Sequence, residues 1–278
     1  MTTTFDVNQY LKASLSSATL LLNASTNQPP PTVEFSHDVL LGLNFKCHKQ
    51  ILDGYTSEIE LGDKIQALFC RAMICATVMK KRSQTVSDLK ELTTLLRQEE
   101  QYATSHMLAF VYRTRALIAQ NVDEGIEDCL LALGVYPDDS DAYVIMASLY
   151  QNKGDLHKSL ESLSRAIECN PSKLSAYHAR ASMYVFDLND PEKALHDYNK
   201  CVELDPNNGY MWRERGYLYE NYLQQYDRAL EDYTKAIEVS SADEPLVEFH
   251  ESRYSLLKDK LNRPHEAQLE LHKINSLR

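Results

Sequence analysis

Across residues 140–169 the apolar positions recur at helical spacing. Tyr143, Ala147 and Tyr150 stand at i, i+4 and i+7, which is one face of a helix. Ser159, Leu160, Leu163, Ala166 and Ile167 make a second such face shortly afterwards. Between the two, the stretch Asn152 to Asp155 supplies a glycine stop and an aspartate start. The pattern predicts a helix, a short turn and an antiparallel helix.

That unit repeats. Pro137, Pro171 and Pro206 follow one another at 34 and 35 residues, and Tyr143, Tyr177 and Trp212 keep the same steps. So do Tyr150, Tyr184 and Tyr219, and the small residues Ala147, Ala181 and Gly216. Ala132, Ala166, Cys201 and Ala236 form a further series. Independent series sharing one period mark an internal repeat. One helix pair is too small to bury its own apolar face, and stacking a second pair on it buries the aromatic and alanine rows continuously.

The pattern resembles the tetratricopeptide repeat family, whose 34-residue helix-turn-helix unit carries aromatic, small and proline residues at set places. The resemblance assigns repeats to His106–Asp139, Ser140–Lys173, Leu174–Asn208 and Gly209–Asp243. The last two carry one extra residue in their turns ("FDLNDPEK" and "NYLQQYDR"), and the fourth has Ser241 where the others close on proline. It implies an all-α fold, a right-handed superhelix of stacked antiparallel helix pairs whose first helices line a concave groove. The domain plan is an N-terminal segment and proline linker (1–33), N-terminal helices forming a degenerate repeat (34–105), four repeats (106–243) and a capping helix pair (244–278). Upstream helices are expected at Phe35–Asp53, Glu58–Lys81 and Val86–Glu100, the last two separated by "RSQT". Pro29, Pro30 and Pro31 place a linker before them. Ahead of that linker, Phe5, Val7, Leu11, Leu15, Ala18 and Leu22 make an amphipathic segment, expected either to dock in the chain's own groove or in a partner, or else to pack outside the first helix pair or stay disordered.

Composition narrows the function. A net charge of −11 argues against a nucleic-acid backbone as the ligand, since that needs a Lys/Arg surface. The six cysteines are scattered, with no C-x-x-C pair and no Cys/His spacing for a metal, and they read as reduced thiols of an intracellular protein. No apolar run reaches the roughly 20 residues of a spanning helix, so no integral membrane segment is expected. A Gly-rich phosphate loop, a G-x-S-x-G motif and a complete zinc-protease helix are all absent; "HESRY" stops short at Tyr254. The chain is therefore expected to have no catalytic residues, no metal and no cofactor.

Carried over residue by residue, the family's inward positions are Met107, Phe110, Thr114 and Leu117 in the first repeat and Val144, Ile145, Ser148 and Asn152 in the second. The third gives Ser175, His178, Ser182 and Phe186, and the fourth Tyr210, Arg213, Tyr217 and Asn221. This lining suits an extended peptide or amphipathic helix. The carboxylate clamp by which some members hold chaperone tails needs cations at positions that here hold Phe110, Thr114, Val144, Ile145, Ser148, Ser175 and Ala179, so it is not supported. Arg180 and Arg215, each three residues after an aromatic, are expected to pack their stems between helices.

The function expected is a non-catalytic adaptor that binds a protein or peptide partner in the groove, in the cytoplasm. "DLNDPEKALHDYNKCVELDPNN" and "YHARASMY" are also similar to the distal repeats of the large mitochondrial outer-membrane import receptor, which implies a preprotein receptor at that membrane. A third possibility is a subunit of a larger assembly that uses the convex face, marked by an apolar patch on the second helices.

Overall fold

The computed structural model describes residues 82–98, 105–240 and 246–278, together with Leu68. The helices expected at Phe35–Asp53 and Glu58–Lys81, the proline linker and the segment Phe5–Leu22 lie outside this range, Leu68 apart. Every regular element among the described residues is an α-helix. The chain divides into two units, Met1–Asp155 and Leu156–Arg278.

The first unit holds α1 (Arg82–Gln98), α2 (Ser105–Ile118), α3 (Val122–Val135) and α4 (Ser140–Lys153). Each packs on the next. In α1, Leu89, Leu92 and Leu96 face the core, and the buried Thr93 hydroxyl donates to the Leu89 carbonyl at 2.6 Å. The stretch "RSQT", read from sequence as a break, is instead the first turn of α1. It is polar but holds no glycine or proline, so nothing in it stops a helix. Asn121 caps α3 by accepting from the Asp123 amide, and Asp139 caps α4 by accepting from Asp141 and Ala142. Alanines at 109, 132 and 142 let the helices close around Tyr112, and Ala116, Cys129, Ile145 and Met146 form a second cluster.

The second unit runs through α5 (Leu156–Cys169), α6 (Leu174–Phe186), α7 (Pro191–Leu204), α8 (Gly209–Asn221), α9 (Tyr226–Val239), α10 (Leu246–Asp259) and α11 (Pro264–Leu277). Pro191 and Pro264 open α7 and α11, where a missing N–H costs nothing. Its cores are shared between successive pairs. Leu218 of α8 joins Ala181, Val185, Ala194 and Tyr198 of the pair before, and Leu256 of α10 joins Tyr219, Ala229 and Tyr233. Each fully buried Leu or Tyr contributes on the order of 2 kcal/mol, and none can be buried by one pair alone.

The extra turn residues have a structural role. The second repeat ends its first helix on Gly154 at φ 82°. The third, the fourth and the last pair use Asn189, Gln224 and Asn262 at φ 50°, 54° and 50°. In each, the following amide reaches back to close the helix end: Asp190 to Tyr184, Gln225 to Tyr219 and Arg263 to Leu257, at 2.7–2.8 Å.

Candidate functional site

Within the second unit the first helices α6, α8 and α10 are bridged by side chains. The His178 ring lies 6.1 Å from Tyr198 and 6.3 Å from Tyr210. Burial holds its imidazole below the ordinary range, and its Nε2 is enclosed without a hydrogen-bond partner. Below it Ser182 and the Tyr198 hydroxyl meet at 3.4 Å.

Arg213 crosses from α8 to α10. Its Nη1 donates to Glu214 at 2.8 Å, its Nε to Ser252 at 3.4 Å, and the guanidinium sits 6.0 Å from the Tyr210 ring centroid. Burial pushes the Glu214 carboxyl up, against the pull of Arg213.

At the far end of the same helices lies an aromatic group. Phe186 closes α6 with 48% of its surface exposed, and the rings of Tyr217 and Tyr222 stand 6.5 and 6.4 Å from it. Leu188, in the turn just after, is also exposed.

The sequence-derived lining divides accordingly. In the second unit Ser175, His178, Tyr210, Arg213 and Tyr217 are half-buried, Phe186 and Asn221 are exposed, and Ser182 is buried. In the first unit Phe110, Thr114, Val144 and Ile145 are buried, with Ile145 inside the core cluster and Thr114 donating to the Phe110 carbonyl. Met107, Leu117 and Ser148 are half-buried, and only Asn152 is open. Packing takes both Val144 and Ile145 out of the lining, at 4% and 1% exposure. Tyr222 and Leu188 were missed because they sit in the enlarged turns rather than on a helix face.

Arg180 and Arg215 act inside the stack. Arg180 grips Asp197 through Nε and Nη2 at 2.7 and 2.8 Å, and Arg215 grips Asp232 through the same pair of nitrogens, both bonds at 2.7 Å. Arg253 pairs with Glu270 through Nη2 alone, its Nε being left without a partner, and all three pairs span 17 residues. Each arginine also donates to the second helix of the preceding pair: to Ser164, Asn199 and Thr234. This fixed spacing of Arg and carboxylate was readable in the sequence.

The last rung has a pH signature. Burial pushes the Glu270 carboxyl up, but hydrogen bonds from Arg253 and His250 outweigh it and hold it at about 2. A carboxyl depressed on folding adds stability that is complete above its unfolded pKa and fades as pH falls towards the folded one. Stability should therefore decline between pH 4.5 and 2, and Glu270→Gln should flatten that decline while costing most at neutral pH. Denaturant midpoints measured across this range for both proteins check it; parallel curves would dismiss the assignment.

No group of His, Cys, Asp and Glu among the described residues is arranged to hold a metal, and no described helix is long and apolar enough to cross a membrane. Residues 140–173, 174–208 and 211–243 match the sequence model of the tetratricopeptide repeat, so α4 to α9 carry three such repeats. Solved structures share the fold. One, described as a MamA protein, is 18% identical at a TM-score of 0.50, over 64% of this chain and 93% of that one. MamA from residue 41 to its end, from Desulfovibrio magneticus RS-1, is 15% identical at a TM-score of 0.52, over 63% and 96%. At these identities the likeness is one of fold. No curated protein matches the chain.

Proposed function

We infer that this tetratricopeptide-repeat protein is a non-catalytic interaction scaffold that holds a segment of a partner protein against α6, α8 and α10. One observation carries the reading: Phe186 and Leu188 stay exposed, Phe186 against the half-buried rings of Tyr217 and Tyr222, on a helix face that also carries the half-buried cation Arg213. A large exposed aromatic group with a polar margin is the usual composition of a protein contact. The segment sought is extended or helical, with an apolar side chain for the Phe186 group and hydrogen-bonding groups for the polar floor around Arg213. The buried thiols of Cys129 and Cys201 support a reducing compartment such as the cytosol.

The test is selection of peptides from a displayed library on the intact chain, followed by titration of the winners against variants. Phe186→Asp should weaken them by about tenfold or more, as expected for losing an aromatic anchor, and Tyr217→Ala should act in the same direction. Asn121→Ser, remote in sequence and in the other unit, serves as the control. If the selected peptides bind the Phe186→Asp protein as tightly as the parent, this face is not the binding site.

A further inference from the structure

The outward face of α3 departs from a pattern that α5, α7 and α9 share. On α5, α7 and α9 the same two positions form a surface ion pair: Arg165–Glu168 at 2.7 Å, Lys200–Glu203 at 2.9 Å and Lys235–Glu238 at 3.2 Å. The position before each cation is polar, Ser164, Asn199 or Thr234, and accepts from an arginine of the following pair. On α3 these places hold Leu130, Leu131 and Gly134. Leu130 is 54% exposed and Leu131 40% exposed. A Cβ added to Gly134 would meet nothing within 4 Å, so the backbone there is bare.

These three positions thus lack polar groups together: the two leucines point about 100° apart, and Gly134 lies one turn from each. The remaining charge on α3 is of one sign: Asp123, Glu124, Glu127 and Asp128, with no Lys or Arg in the helix. Asp128 is taken up by Arg115 and Asp123 by Lys153, while Glu124 and Glu127 stay exposed, Glu127 one turn from both leucines.

We propose that this face is a second docking surface, for an amphipathic helix of a partner protein that carries leucine-like side chains on one side and Lys or Arg beside them. The partner's apolar row seats on Leu130 and Leu131, and Gly134 admits its backbone or a bulky side chain close to α3. Its cations meet Glu124 and Glu127. A second copy of the chain fits poorly, because a symmetric contact would oppose Glu127 to Glu127 in a protein of net charge −11. The surface lies in the first unit and is independent of the Phe186 group.

The probe is a fluorescent amphipathic helical peptide of Leu, Ala and Lys, titrated by anisotropy against the intact chain. Its controls are a scramble of the same composition and a version with Glu for Lys. The decisive variant is Leu131→Lys with Gly134→Glu, which installs the ion pair the other repeats already carry. It should weaken the basic peptide by tenfold or more, with Phe186→Asp leaving binding unchanged. Glu124→Lys with Glu127→Lys provides an independent arm, expected to weaken the Lys peptide and favour the Glu version. The proposal is overturned if the scramble binds equally well, or if Leu131→Lys/Gly134→Glu binds like the parent. It is also overturned if that variant turns an oligomeric parent into a monomer in sedimentation, which would make a second copy the occupant. Marked loss of thermal stability in the variant would show that the chain itself covers the leucines, and would overturn it too.

Discussion

Replacing Asp197 by alanine should lower the unfolding free energy by about 3 kcal/mol, because it strands the Arg180 guanidinium between helices. The Asp197 side chain is 1% exposed and that of Arg180 18%, so the pair is largely out of water, and the partial opening at Arg180 places the effect at the low end for a buried pair. A pair of this kind on the open surface would be worth under about 1 kcal/mol. The stack does not need the charges as such. Arg180→Met combined with Asp197→Leu should return stability to near that of the parent, since a packed apolar pair replaces a satisfied ionic one at little net cost. Urea unfolding of the parent, Arg180→Met, Asp197→Leu and the double variant closes a double-mutant cycle and gives the coupling. Hydrogen exchange should place the loss in α6 and α7 first, because repeats unfold as neighbours rather than as a whole. An Asp197→Ala protein within 0.5 kcal/mol of the parent, the scatter of ordinary surface changes, would mean that the bidentate bond contributes nothing beyond solvent.

The second large effect is expected at Gly216. A Cβ there would lie 2.8 Å from two ring carbons of Tyr233 and 3.3 Å from the Asp232 Cβ. Tyr233 is buried and its hydroxyl is tied to Glu220 at 2.7 Å, so the ring cannot swing aside. The third repeat packs Ala181 and Tyr198 in one core, which shows that a single methyl can be met by a small separation of the helices. Gly216→Ala should accordingly cost about 1 kcal/mol, and Gly216→Val about 3 kcal/mol, the upper part of the overpacking range. Tyr233→Leu should relieve the alanine variant, following the second repeat, where Ala147 and Leu163 occupy these positions. Thermal melts of the three variants decide it. A valine variant that melts with the parent would show that α8 and α9 are not in close contact at this point.

How much of this was legible depends on how many series reported each feature. The helix pairs between residues 140 and 243 were, because proline, aromatic and small-residue positions all kept one period and any one of them could have varied without hiding it. Upstream, where only apolar spacing was available, the start of α1 was placed four residues late: "RSQT" looked like a break because it is polar, and polarity alone does not end a helix. The sequence placed Arg213, Tyr217 and Phe186 on one face of the first helices, and the structure leaves Phe186 exposed there and the other two half-buried. What periodicity cannot give is how far a neighbouring pair wraps around that face, and so Phe110, Thr114, Val144 and Ile145 were placed on a lining from which packing removes them. Tyr222 and Leu188 depend on the backbone of turns set by Gln224 and Asn189 at positive φ, which no hydrophobic pattern encodes. The arginine–carboxylate pairs were written plainly, at one separation, and needed only to be looked for.

Those arginines bear on how such a chain can change length. Arg180, Arg215 and Arg253 each take one partner from their own helix pair and one from the pair before, and never reach further. A tandem copy of residues 174–208 would present its arginine to Asn199, the acceptor that Arg215 already uses, and would bring its own aspartate. Insertion or removal of a whole unit therefore leaves every arginine answered, whereas one residue added inside a helix, between an arginine and its carboxylate, would turn the two about 100° apart. The rule for editing this protein is written in its ion pairs: it tolerates change by the unit, and resists change by the residue.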